Sequence, residues 1–125
     1  MLVVKTYLGL SRIHGIGLFA GEDIQENTVV WRFAKGFDLV MNRKEKQTLP
    51  EATQSWLNNY TYYNSSEGGY VLCADDGRFM NHAKDNNISD RGAYTIANRL
   101  IKKGEEMTCN YFEFDEEAME KLKQH

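Results

Sequence analysis

Apolar and polar positions along this chain alternate in short runs, with few long helical stripes. Residues 2–8 mix branched and aromatic side chains and read as a strand. Residues 16–20, after a glycine-bearing bend at Gly15, read as a second, 28–33 as a third and 37–40 as a fourth. Residues 69–73, 93–97 and 106–111 continue the series. Helical signals are confined to three places. Asn42 is placed to cap a short turn through Lys46. Thr48-Leu49-Pro50 opens a helix to about Tyr60, with Ala52, Trp56 and Tyr60 four apart on one face. Near the end Asp115 is a good N-cap, Glu116 and Glu117 follow in the first turn, and Lys121 and Lys123 fall in the last. Phe114, Ala118 and Leu122 line one side of that helix, which predicts docking on the body. Many short strands with two or three small helices predict a mainly β, β-rich α+β domain. No linker or repeat divides the chain, so residues 1–125 read as one domain.

Composition narrows the classes. The chain has 125 residues, of which 42% are hydrophobic and 26% charged, within the globular range. Fifteen basic and 18 acidic side chains leave a net charge of -3 with no basic stripe, which argues against direct nucleic-acid binding. The only cysteines, Cys73 and Cys109, form no CxxC pair and predict two buried thiols with neither a disulfide framework nor a zinc site. No apolar run approaches the length of a membrane span. Residues 1–7 lack the pattern of a signal peptide, so the expected compartment is the cytoplasm.

Three segments carry candidate chemistry. In His14-Gly15-Ile16-Gly17, two glycines flank one residue, which lets backbone approach a ligand closely; no third glycine and no helix make it a dinucleotide fingerprint. Arg78-Phe79-Met80-Asn81-His82 brings a carboxamide and an imidazole to one place. Gly104-Glu105-Glu106-Met107-Thr108-Cys109-Asn110-Tyr111 is a turn and strand ending in a tyrosine whose hydroxyl, if buried, needs a partner. Taken singly, each is equally a scaffold feature: a glycine turn, an Asn-His turn with a satisfied histidine, a core tyrosine.

Together and in this order, the three segments resemble the SET domain, the β-rich fold of protein-lysine methyltransferases, over nearly the whole chain. Asp85 and Asn87 fit the tail of the Asn-His motif, and Ala97-Asn98-Arg99-Leu100-Ile101 fits the stretch before the closing motif. Tyr70-Val71-Leu72-Cys73 and Thr108-Cys109-Asn110-Tyr111 are similar to segments of the small stand-alone, mostly bacterial SET proteins. The resemblance implies a fold of short curved sheets with a C-terminal pseudoknot near Asn81-His82, an exception to the rule against threading. Residues 113–125 would then close the site as a C-terminal helical segment.

The implied activity is transfer of methyl groups from S-adenosyl-L-methionine to the side-chain amine of lysine in a protein or peptide substrate. The implied cofactor residues are His14, Gly15, Ile16 and Gly17, then Arg78, Phe79, Asn81, His82 and Phe112. Tyr111 is the implied catalytic residue, orienting amine and methyl. Trp31, Phe33, Tyr62, Tyr63 and Cys109 are the implied walls of the lysine channel. Two departures stand out. The Asn-His motif continues Ala83-Lys84 where the family commonly has Ser-Cys, and Cys109 stands where many members have an aromatic. A small residue there implies a roomier pocket that admits a second and third methyl. The acidic run of Glu113, Asp115, Glu116 and Glu117 reads either as a solvated helix start or as a face for a basic, histone-like peptide. Members of this size can pair as homodimers. The alternative function is a catalytically silent SET-like module that binds cofactor or protein.

Overall fold

The computed structural model describes residues 1–123. Among these residues ten short strands fold into four small sheets, with three α-helices at their margins. Strands β1 (Thr6–Leu10) and β2 (Ile16–Ala20) form an antiparallel hairpin. Its loop is closed by the Ser11 hydroxyl, which accepts the N–H groups of Ile13 and His14, and by Gly15 at φ +51°. The first strand starts later than the sequence pattern predicts. Leu2 makes only a bridge to Trp31, because residues 1–4 add to the edge of another sheet and the chain bends before Thr6.

Strands β3 (Val29–Arg32), β8 (Ile88–Asp90) and β9 (Tyr94–Ala97) make a second sheet in the order β3-β9-β8, all antiparallel. Strands β4 (Leu39–Met41), β5 (Thr61–Asn64) and β6 (Gly69–Leu72) make a third, with β6 central. Gly69 begins β6 at φ +140°, and a Cβ there would lie 2.5 Å from the Met41 carbonyl oxygen, so no other residue fits without moving backbone.

Helix α1 (Arg43–Gln47) starts on a capping box between Asn42 and Glu45, as the sequence predicts. Helix α2 (Glu51–Tyr60) departs from expectation. Ala52 is exposed, Trp56 is 43% exposed and Leu57 is the buried residue. Trp56 and Tyr60 pack on each other instead, their rings 4.8 Å apart, and Tyr60 leans on Phe79. Helix α3 (Ala118–Lys123) docks as predicted, with Ala118 buried and Phe114 and Leu122 packed against the core. The last two residues of the expected 113–125 segment lie outside the described residues.

The fourth sheet is the smallest and holds the site. Strand β7 (Asn81–His82) pairs in parallel with β10 (Thr108–Cys109). Parallel strands need a long crossover, and here residues 83–107 supply it, carrying β8 and β9 back across the core. This pair stands where the resemblance puts the threaded crossing. The core beneath it is built from Leu18, Val30, Ile88, Ile101 and Met107, all fully buried.

Buried Asn87 locks the crossover to the closing strand. Its amide donates to the Glu106 carbonyl at 2.9 Å and accepts the Thr108 N–H at 2.9 Å. Asn87→Ala removes both partners from buried backbone. The expected loss is about 1–3 kcal/mol for each group left unsatisfied, read from urea unfolding. A loss indistinguishable from zero would mean that water replaces the amide.

Candidate functional site

The short parallel ladder divides the site into two halves. Met80 and Asn81 are neighbours in sequence but serve opposite sides. Met80 lines a cavity of about 370 Å³, while the Asn81 side chain bonds the glycine arm that opens β2.

On the glycine side, the Asn81 Nδ2 donates to the carbonyls of His14 (3.0 Å) and Ile16 (3.4 Å) and to the Glu106 carboxylate (3.0 Å). Asn81 is 6% exposed, so these bonds hold the arm from inside. Among the described residues nothing lies within 4 Å of a Cβ built on Gly15, so this backbone is open on that side. Gly17 is crowded by Glu106, which the sequence reading did not single out. Strand alternation marks it: Met107 is buried in the core, so its neighbour Glu106 faces the opposite way. Beside this arm, His82 meets Tyr111 and Phe112, ring centroids 5.2 and 5.8 Å away. Phe112 is 56% exposed and offers a free aromatic face.

On the cavity side, Trp31, Tyr62, Cys109 and Tyr111 all contribute to the wall, as do Arg78, Met80 and Phe114. Phe33 and Tyr63 do not. Phe33 packs on the core, and Tyr63 packs against Tyr70 beneath the Arg43 guanidinium. Strand alternation explains the split, since Tyr62 and Tyr63 must face opposite sides of β5. Arg78 falls on the cavity side and lies over the Phe79 ring, while Phe79 packs against Tyr60. Three buried wall atoms, Trp31 Nε1, Arg78 Nε and Thr95 Oγ1, have no hydrogen-bond partner among the described residues. The Glu67 and Asp90 carboxylates also face the cavity, and burial raises both above the usual carboxylate range.

Tyr111 sits at the junction of the two halves. It is 8% exposed and donates its hydroxyl to the Met80 carbonyl at 3.2 Å. Burial, then the neighbouring Cys109 and Asp115, push its hydroxyl far above the ordinary tyrosine value, so it stays protonated at neutral pH. It is therefore a hydrogen-bond donor and a π-face, and not a base. Lys121 already rests its ammonium 5.0 Å from the Tyr111 ring centroid. That ammonium is held by Asp115 at 3.1 Å and by the Thr61 carbonyl.

The acidic run has structural partners. Asp115 accepts the N–H groups of Tyr63 and Glu117, Glu116 accepts from Ser65, and Glu117 bonds Tyr70 and Arg43. These contacts tie the start of α3 to β5 and β6, with Glu113 and Glu116 still exposed to solvent. Both cysteines are buried free thiols; burial pushes Cys73 up to about 12 and Cys109 higher still, which keeps them protonated and unreactive. Among the described residues no group of three or more His, Cys, Asp or Glu side chains is arranged to hold a metal. No described helix is long and apolar enough to cross a membrane.

A strand-rich body, a parallel pair under an Asn-His turn and a buried tyrosine joining two half-sites define a SET domain, and the family pattern matches residues 15–112, so the chain belongs to the SET domain family. Human histone-lysine N-methyltransferase 2D is 29% identical over 124 residues, a match that covers 90% of this chain and 2% of that much longer protein. The mouse protein of the same name matches equally. Among solved structures, Chaetomium thermophilum Polycomb Repressive Complex 2 bound to GSK126 aligns over 97% of this chain and 17% of that chain, with a TM-score of 0.68 and 25% identity. A structure of the same complex bound to S-adenosylmethionine aligns with a TM-score of 0.66, at 25% identity and the same coverage.

His82 links the two strands chemically, since its Nδ1 accepts the Tyr111 N–H at 3.1 Å and so must be unprotonated. Desolvation lowers its pKa below the ordinary value. The unfolded chain therefore binds the extra proton more readily, and stability falls as pH drops through about 6.5 toward the folded value. The expected result is a fall in Tm on acidification from pH 7 to 5.5 that is shallower in His82→Gln. Parallel Tm profiles of the two proteins would remove this role.

Proposed function

We propose that the protein is an S-adenosylmethionine-dependent methyltransferase acting on the side-chain amine of lysine in a protein substrate. One observation carries this reading: a buried tyrosine lines an apolar cavity and donates its hydroxyl to the Met80 carbonyl, next in the chain to the Asn81 that holds the glycine arm. The residues fit the cofactor. An open cradle at Gly15, acceptors around Asn81 and an exposed ring at Phe112 suit an amino-acid end and a purine. Residues 14–17, Asn81, His82 and Phe112 would hold the cofactor, which supplies an activated methyl group. The kinship with histone-lysine methyltransferases, one solved with this cofactor, supports the same assignment.

The cavity's walls account for the other substrate. A lysine amine is protonated at pH 7, and removing its proton costs about 4–5 kcal/mol there. Trp31, Tyr62, Met80 and Phe114 desolvate an ammonium and so reduce that cost. Glu67 and Asp90 attract the charged form to the same cavity before its proton leaves to water. Tyr111, fixed by Met80 through its hydroxyl and by His82 through its N–H, then orients the amine toward the methyl.

Two outcomes test the reading. Incubation with methyl-labelled cofactor and lysine-rich proteins is expected to place label on lysine. Tyr111→Phe should slow that transfer roughly a hundredfold, the scale of lost alignment, with cofactor affinity retained. Saturable cofactor binding with no transfer to any protein in the panel or a cell lysate would favour the silent binding module. Cys109 makes the inner wall small, so mass spectrometry of the product is expected to find di- or trimethyl-lysine; accumulation of monomethyl-lysine alone would contradict a roomy pocket.

A further inference from the structure

We propose that Glu106 is a cofactor-binding residue, the carboxylate that receives the α-ammonium of the cofactor's amino-acid end. The inference rests on the methyltransferase reading above and names the group that selects the cofactor's cationic end.

The geometry begins with the closing segment. Glu106 makes a bridge with Phe19 and directs its side chain over Gly17. A Cβ at residue 17 would sit 2.5 Å from its Oε2 and 2.9 Å from its Cδ. The second glycine of the arm thus makes room for this carboxylate. Both carboxylate oxygens accept the Ser11 hydroxyl, at 2.8 and 2.9 Å, and Oε2 also accepts the Asn81 Nδ2 at 3.0 Å. Two elements distant in sequence therefore aim it. Among the described residues no lysine, arginine or histidine forms an ion pair with it. It is a partly buried carboxylate held by neutral donors, with no counter-ion among the described residues.

Its neighbours are acceptors. The His14 and Ile16 carbonyls and the carboxylate surround one end of the Asn81 amide, which marks that end as the NH₂ group, the amide's only donor. That fixes the amide's orientation and turns Asn81 Oδ1 away, where it accepts no hydrogen bond among the described residues. The His14 and Ile16 carbonyls and the Glu106 carboxylate therefore gather around one point of the glycine arm, at the Asn81 amide. A group with three donors, a positive charge and no acceptor is their complement, which is a primary ammonium. A cofactor carboxylate would be repelled from the same place.

Isothermal titration of the intact protein with S-adenosylmethionine and with S-adenosylhomocysteine tests this. Both molecules carry the α-ammonium, but only the first carries the sulfonium. Glu106→Gln keeps an acceptor for Ser11 and Asn81 and removes the charge. It should weaken both ligands equally, by roughly tenfold or more, as for one charge-assisted hydrogen bond. Glu106→Asp, which keeps the charge on a shorter arm, should recover part of the affinity, and the Tm of each variant shows whether it is folded. Unchanged affinity in Glu106→Gln, or a loss confined to S-adenosylmethionine, would overturn the assignment. Equal weakening in Gln and Asp variants of lowered Tm would reduce Glu106 to a structural role and overturn it as well. A wild-type protein that binds neither ligand would instead overturn the proposed function.

Discussion

Asn81 and His82 hydrogen-bond in parallel with Thr108 and Cys109, and the positions of the other site residues follow from that pairing. The ladder has only two residues on each side, too few to be stable alone. Side chains reinforce it from above and below. Asn87 bridges Glu106 and Thr108, the His82 ring accepts the Tyr111 N–H, and the Tyr111 hydroxyl returns to the Met80 carbonyl. Every one of these bonds joins residues at least 19 positions apart. Tyr111 is thus held by polar contacts at both its backbone and its hydroxyl, over a core that supplies the hydrophobic drive.

The two half-sites differ in electrostatic character, and the difference is built from backbone as much as from side chains. The glycine arm gathers acceptors around Asn81, while the cavity sets aromatic walls against two carboxylates with raised pKa values. Both halves favour positive charge, the one by hydrogen bonding and the other by π-faces and through-space attraction. The ammonium of Lys121 against Tyr111 is an internal example of the second. Neutral Tyr111 separates the two without adding a charge of its own.

Much of this was legible from residue order. The hairpin strand 16–20, the Asn42 capping box and the docking side of the last helix all follow from local pattern or from family likeness. Strand β5 was hidden because Thr61 follows Tyr60 with no breaker between helix and strand. Strands β7 and β8 are two and three residues long and polar, so no period-2 signal can form. The face of α2 was misjudged because two aromatics can shield each other at the surface without entering a core. Glu106 was missed for a different reason: a carboxylate in a Gly-Glu-Glu turn looks solvated, and only the tertiary approach of Ser11 and Asn81 distinguishes it from Glu105.

The crossover of residues 83–107 has a consequence for how the molecule is assembled. The β1–β2 and β8–β9 hairpins join near neighbours and close small loops, so they can form early. The ladder of β7 and β10 must wait until the whole intervening segment has packed, and its small area makes it the first part to open again. The ladder thus belongs among the late contacts, and Tyr111 acquires its setting together with it. A chain warmed enough to open only this ladder would keep most of its sheet structure and lose its site, so amide exchange at Thr108 and Cys109 reports on competence more directly than the bulk melt.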